Sequence, residues 1–327
     1  MDRKNILLFC PSFFGYDISI KNEMESLGAK VSLFDERPFK SFFGKALLRL
    51  NFSWLLKWYI DRYFKKIIYP LVDDLDLIVL INPESISSDL LKRIKLLNEH
   101  VKVIVYMWDS FKNKSQASKL IDVSDSFFTF DPVDANNYGL TFLPLFYIPQ
   151  YEEIRANKEK KEGEAFDLVF IGTAHSERYK LVMDITSGFK KVFTFFYTPN
   201  KLVFLYKRYW CNELAGLSYF DVSSIPMSRD GVIDTISKSK AVIDINHPSQ
   251  VGLTIRTFEI IAAGKKLITT NKNVMDYDFY NENNVLYYYE SIDFANVIDF
   301  LDKPFLELDE KYKSYSLKKW VKRVVYE

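Results

Sequence analysis

The stretch Asp244-Ile245-Asn246-His247-Pro248-Ser249-Gln250-Val251-Gly252-Leu253-Thr254-Ile255-Arg256-Thr257-Phe258-Glu259-Ile260-Ile261-Ala262-Ala263-Gly264 decides the fold. It reads as the end of a strand, a polar loop, and an apolar helix that starts near Thr254 and stops at Gly264, where helices often end. A buried strand leading into a buried helix is the repeating unit of a parallel α/β sheet. The same alternation extends on both sides, with strand-like runs at Phe166 to Gly172, Lys191 to Tyr197, Ala241 to Asn246, Lys265 to Thr270 and Asn284 to Tyr289. These are continuous apolar runs rather than alternating ones, as strands covered on both faces require.

The first half follows the same rule. Asn5 to Cys10, Lys30 to Asp35, Leu75 to Ile81, Lys102 to Trp108 and Ser126 to Phe130 are apolar runs separated by segments of helical spacing such as Ile18 to Leu27 and Asp89 to Leu97. Between the halves, Pro149 and the charge run Lys158-Glu159-Lys160-Lys161-Glu162-Gly163-Glu164 have nothing to bury. The expected organisation is therefore a Rossmann-like domain over 1–150, a linker over 151–165, a second Rossmann-like domain over 166–305 and a terminal helix within 306–327. In that helix Leu317, Trp320, Val321 and Val324 share one face. Periodicity leaves open whether it caps the second domain or crosses back to the first.

Composition narrows the functional classes. The chain has 327 residues, enough for two ordinary domains, with 48% apolar and 27% charged residues, the balance of a globular protein. A net charge of +1 gives no global attraction to nucleic acid, and none is expected as a partner. Cys10 and Cys211 are the only cysteines, so a disulfide framework is not expected and a reducing cytoplasm is the simpler setting. Met1-Asp2-Arg3-Lys4 runs straight into a strand, with no signal-peptide core. The longest uncharged run, Ala135 to Tyr151, carries Asn136, Asn137, Pro144 and Pro149 and does not read as a membrane span.

In open parallel sheets ligands sit at the carboxyl ends of strands, where helix N-termini offer N–H groups to phosphate. After Phe170-Ile171 come Gly172, Thr173 and, one turn on, Arg178, a place suited to a diphosphate. The plain alternative is a tight turn, with Ser176 capping a helix and Arg178 paired to a surface acid. After Ile245 come Asn246 and His247, then Gly252, Leu253 and Thr254 leading into a helix with Arg256 in its first turn. Glu259 shares a face with Arg256 and is placed to accept hydrogen bonds from a ribose diol; the alternative is a local ion pair between the two.

The run Gly252 to Glu259, with Ala262-Ala263-Gly264 and Thr269-Thr270-Asn271, resembles the donor signature of GT-B glycosyltransferases, especially the group similar to the spore-maturation protein CgeB and to bacterial polysaccharide-assembly transferases. Phe170 to Thr173 with Arg178, Pro11 to Tyr16, and Tyr106 to Ser110 fit the same group, so the resemblance covers nearly the whole chain. It implies two Rossmann-like domains facing each other across a cleft, with the nucleotide sugar on the C-terminal half. Glu259 would contact the donor ribose, while Arg256, Thr254 and the Gly172-Thr173 turn would hold the diphosphate. A UDP-sugar is the favoured donor, used as substrate, with no cofactor. Many retaining members carry a second glutamate eight positions before the ribose-binding one. Val251 stands there, which leaves the stereochemistry open.

Transfer with inversion needs a base at the acceptor hydroxyl and positive charge at the leaving diphosphate. Asp109, just past a strand, is the preferred base, and Asp17 the second. Phe14, Gly15, Tyr16 and Asp131 complete the expected acceptor side. Asp73-Asp74-Leu75-Asp76 precedes a strand, the wrong end for ligands, so no metal is expected. Residues 39–69 are basic and aromatic, with one acid, Asp61; they suit either an anionic membrane surface beside a lipid-linked acceptor or a packing helix with solvated lysines. The expected setting is the cytoplasm, at the inner face of its membrane if this stretch binds lipid.

The expected activity is transfer of a hexosyl group to a saccharide or lipid-linked acceptor in surface polysaccharide or glycoconjugate assembly. Two rivals share the fold: an epimerase or hydrolase of nucleotide sugars, and a non-catalytic scaffold. The turn Cys10 to Gly15 lacks the Gly-x-Gly-x-x-Gly pattern of NAD enzymes.

Overall fold

The computed structural model describes residues 4–38, 57–157, 163–175, 178–211, 213–214, 216–247, 250–289 and 293–327. The chain divides into two compact units, Met1–Leu145 with Leu317–Glu327, and Phe146–Ser316.

The first unit contains β1 (Asn5–Phe9), α1 (Tyr16–Ser26), β2 (Lys30–Phe34), α2 (Lys57–Ile68), β3 (Leu77–Ile81), α3 (Ser88–Leu97), β4 (Lys102–Met107), β5 (Ser126–Thr129), α4 (Pro132–Tyr138) and β6 (Thr141–Phe142). Its sheet is parallel in the order β2-β1-β3-β4-β5-β6. Every residue of β3, Leu-Ile-Val-Leu-Ile, is buried, because a central strand of a doubly wound sheet is covered on both faces. The strand order reverses at β1, so a crevice is expected at the carboxyl ends of β1 and β3.

The second unit contains α5 (Pro149–Ala156), β7 (Phe166–Thr173), α6 (Arg178–Thr186), β8 (Val192–Tyr197), α7 (Lys201–Tyr209), β9 (Val222–Ser223), α8 (Arg229–Ser237), β10 (Ser239–Asp244), α9 (Ile255–Ala262), β11 (Lys266–Thr269), β12 (Val285–Tyr287) and α10 (Phe294–Asp302). Its sheet is also parallel, in the order β12-β11-β10-β7-β8-β9, and reverses between β7 and β10. Two Rossmann-like sheets are thus present. The edge strands β6 and β9 carry no sequence signal, being two residues long.

Two boundaries differ from the sequence reading. Residues 149–156, expected to begin in one domain and end in a linker, form α5, whose Tyr151 and Ile154 are buried in the second unit. The charged residues 158–162 lie outside the described residues. The terminal helix, α11 (Leu317–Val325), is shorter than 306–327 and belongs to the first unit. There Trp320 meets Tyr106 edge-on at 4.7 Å between ring centroids, and Lys4 Nζ donates to the Val325 carbonyl at 2.9 Å.

Of the basic aromatic stretch, 39–56 lies outside the described residues. The rest forms α2, which buries Ile60, Phe64 and Ile68 while exposing Trp58 and Tyr59, so the helix both packs and presents a basic aromatic side. Among the described residues no helix is long and apolar enough to cross a membrane.

Candidate functional site

The reversal between β7 and β10 brings the expected donor residues of the second unit together. Arg178, at the start of α6, donates from Nη1 to the Thr173 carbonyl at 3.1 Å and from Nη2 to the Ile245 carbonyl, tying the two strand ends across the crevice. Gly172 is required there. A Cβ at that position would lie 2.8 Å from the Phe170 ring and 3.3 Å from Arg178 Nη1. Among the described residues Arg178 is thus engaged by two backbone carbonyls and does not project freely. Burial lowers its pKa to about 10, which leaves it cationic at neutral pH.

His175 and His247 face each other with ring centroids 5.4 Å apart. Lys207, from α7, donates to the Ala174 carbonyl at 3.2 Å. Burial, then the charges of Arg178, Lys207 and His247, push the His175 pKa down to about 3, so this imidazole is neutral. Arg178 and Lys207 thus bring two cations to one strand end, Lys207 with Glu213 3.8 Å away, an environment that favours an anion. Sequence reading missed Lys207, because nothing local marks a lysine of α7 as belonging to the end of β7.

The loop after β10 is held by amides. Asn246 Nδ2 donates to the carbonyls of His247 and Gln250, and Asn246 Oδ1 accepts from the Thr270 hydroxyl at 2.8 Å. Asn271 Nδ2 donates to the carbonyls of Val251 and Gly252, which sets Gly252 and the buried Leu253 ahead of α9. Thr254 caps α9: its hydroxyl accepts from Thr257 N and donates to Asp244 Oδ2 at 2.6 Å. Thr257 donates to the same carboxylate oxygen at 2.8 Å. Asp244 therefore fixes the first turn of α9 at the end of β10, leaving its first N–H groups without helical acceptors. Sequence reading placed Thr254 on the diphosphate; here its hydroxyl serves the cap.

Arg256 Nη1 lies 2.9 Å from Glu259 Oε2 and donates to the Tyr151 hydroxyl at 3.2 Å. Glu259 is 0% exposed, and Arg256 20%. The ion pair held open as an alternative is what the geometry contains, with Tyr151 as a third member that sequence reading did not anticipate. Burial and then the Glu259 carboxylate push the Tyr151 phenol well up, so it stays protonated. Arg256 is the accessible member, and a ribose reaches Glu259 only if this pair opens.

In the first unit the turn after β1 carries Phe14 at φ 46° and Gly15 at φ 71°, both left-handed, before Tyr16 opens α1. For a bulky residue such as Phe14 this backbone is strained, a feature concentrated at functional turns. Phe13 and Phe14 are exposed, and Phe13 lies 6.5 Å from Trp108 between ring centroids. Asp17 is buried in the first turn of α1. Asp109 follows β4, half-buried, with Oδ1 accepting from Ser110 N at 3.0 Å and Asn113 Nδ2 at 2.9 Å. Asp131 is 3% exposed and caps α4, accepting from Val133 N and Asp134 N through one oxygen. That duty commits one carboxylate oxygen of Asp131 to the helix cap. Among the described residues no group of three or more His, Cys, Asp or Glu side chains is arranged to hold a metal ion.

Glu36, just beyond β2, escaped sequence reading entirely. It is fully buried, and Oε1 accepts from Glu84 N, Ser85 N and Ile86 N. Burial outweighs these bonds and the nearby Lys114, raising its pKa to about 8. The folded state therefore keeps a proton that the unfolded chain releases near 4.5, and stability falls as pH rises through that window. Glu36→Gln keeps the acceptor and abolishes the titration. Urea midpoints at pH 5 and pH 8 are expected to converge in the variant, with the variant more stable than wild type at pH 8.

No protein-family model and no curated protein matches the sequence. Solved structures do resemble it. An alpha-glucosyltransferase in complex with UDP and a mismatched DNA 13-mer is 12% identical, over 99% of this chain and 95% of that one, with a TM-score of 0.55. A glycosyltransferase from Rickettsia africae is 12% identical over the whole of both chains, with a TM-score of 0.55. Anabaena HepE, in complex with UDP and glucose, is 11% identical over 98% of this chain and 95% of that one, also with a TM-score of 0.55. At such identities the likeness speaks for fold, and the fold of this chain is that of the GT-B glycosyltransferases, two Rossmann-like units with parallel sheets.

Proposed function

We infer that this protein is a glycosyltransferase that uses a nucleoside-diphosphate sugar, with a UDP-sugar as donor and no metal. One observation carries the reading: Arg178, Lys207, His175 and His247 converge with the Gly172-Thr173 turn where the second sheet reverses. That combination suits a diphosphate, whose charge grows as the glycosidic bond breaks. Arg256, beside the N-terminus of α9, adds a further cation. Glu259 acts through Arg256 as a positioning residue, and the ribose contact implied by the resemblance would follow opening of their pair. The complex of Anabaena HepE with UDP-glucose supports a hexosyl donor by fold analogy.

On the acceptor side, Asp109 takes the proton of the attacking hydroxyl, with Asp17 as the second candidate. Asn246, Gly252, Leu253 and Thr254 shape the donor loop, while Phe14, Gly15 and Tyr16 form the acceptor turn. The acceptor is a saccharide or lipid-linked saccharide of surface polysaccharide or glycoconjugate assembly, the activity of the CgeB-like and polysaccharide-assembly group.

The test is a thermal-shift series with uridine, guanosine, thymidine and cytidine diphosphates. A ligand that binds only the folded state raises the midpoint. UDP is expected to give the largest shift, and Lys207→Met to reduce it. No shift of wild type with any of the four would sink the reading.

A further inference from the structure

We propose that the solvent face of α7 is a docking surface for an anionic lipid bilayer. Leu202, Tyr206, Tyr209 and Trp210, the last just past the helix end, are 78%, 58%, 68% and 80% exposed. At about 100° per residue they fall within an arc of roughly 100°. The opposite side carries Phe204, which is buried in the core of the second unit. The helix is therefore anchored by one apolar face and presents another to solvent. Phe220, 95% exposed, is a further ring of the second unit that lies open to solvent.

The chemistry of this face selects its occupant. From Lys201 to Trp210 the charged residues are Lys201, Lys207 and Arg208, with no acid. Lys201 and Arg208 flank the apolar arc on one side, Arg208 also donating to the Leu217 carbonyl; on the other side Lys207 turns inward to the Ala174 carbonyl and Glu213. Tyrosine and tryptophan at an apolar boundary beside cations match the interfacial layer of a bilayer with anionic headgroups. Neither the donor residues nor the acceptor turn explains these exposed rings. The surface is also distinct from 39–69, the stretch singled out from sequence.

The experiment is co-sedimentation of the full chain with phosphatidylcholine vesicles, with and without phosphatidylglycerol. Wild type is expected to sediment with the phosphatidylglycerol vesicles and to be released by salt, which screens headgroup attraction. Tyr206→Ser/Trp210→Ser/Phe220→Ser is expected to weaken that binding by at least about tenfold, for loss of buried apolar area, with an unchanged thermal midpoint to certify the fold. Lys201→Glu is expected to weaken binding only where phosphatidylglycerol is present. The proposal fails if wild type ignores both vesicle types. It fails equally if the triple variant binds like wild type, which would move the contact to another surface such as α2. A wild-type dimer that the triple variant abolishes, without vesicle binding, would make this face a protein interface instead.

Discussion

Arg256→Ala is expected to lower the stability of the protein by about 3 kcal/mol, because it strands a carboxylate that no solvent reaches. Glu259 is 0% exposed, and its cationic partner in the described structure is the Arg256 guanidinium, 2.9 Å away. Tyr151 can supply a hydroxyl but no charge. Urea unfolding would measure the loss. Glu259→Gln in the same chain removes the stranded charge, so the double variant should recover most of the stability. It should not recover nucleotide binding, since the accessible cation is still missing. These two readouts separate a structural pair from a binding one. Arg256→Ala that stays within about 0.5 kcal/mol of wild type, the ordinary range for surface substitutions, would mean the pair is in effect solvated. Full recovery of the UDP shift in the double variant would remove Arg256 from the donor site.

The second large effect concerns turnover. Asp109→Asn is expected to reduce kcat by about 100-fold to 10,000-fold, the usual contribution of a general base, and to leave the UDP thermal shift intact. The amide oxygen can still accept from Ser110 N and Asn113 Nδ2, so the local fold is preserved while the basicity is lost. Asp17→Asn is the comparison. A collapse of turnover in that variant with near-normal activity in Asp109→Asn would transfer the base to α1. Unchanged turnover in both would leave the acceptor hydroxyl without either proposed base.

How much of this was legible beforehand can be judged from particular residues. The strand at 239–244, the cap at Thr254 and the helix at 255–262 follow from local pattern: an apolar run, a hydroxyl before a helix, and a glycine after it. The positions of Gly172 and Arg178 beside one strand end were legible for the same reason. What Arg178 does there was not, because its acceptor Ile245 is 67 residues away. The sequence also marked Asp109 and Asp131 alike, as acids following strands. Only the backbone geometry distinguishes a carboxylate beside a loop from one enclosed in a helix cap.

By itself, then, the amino-acid order determined the alternation of buried strands and helices, hence two parallel sheets, because burial on both faces writes itself into consecutive residues. The tertiary structure alone decided which unit receives α11, that Lys207 reaches the end of β7, and that Tyr151 closes over Arg256 and Glu259 from 105 positions earlier. An apolar or charged side chain announces that it needs a partner. Which partner it finds depends on how distant segments pack, and that packing sets the burial and charge of the site.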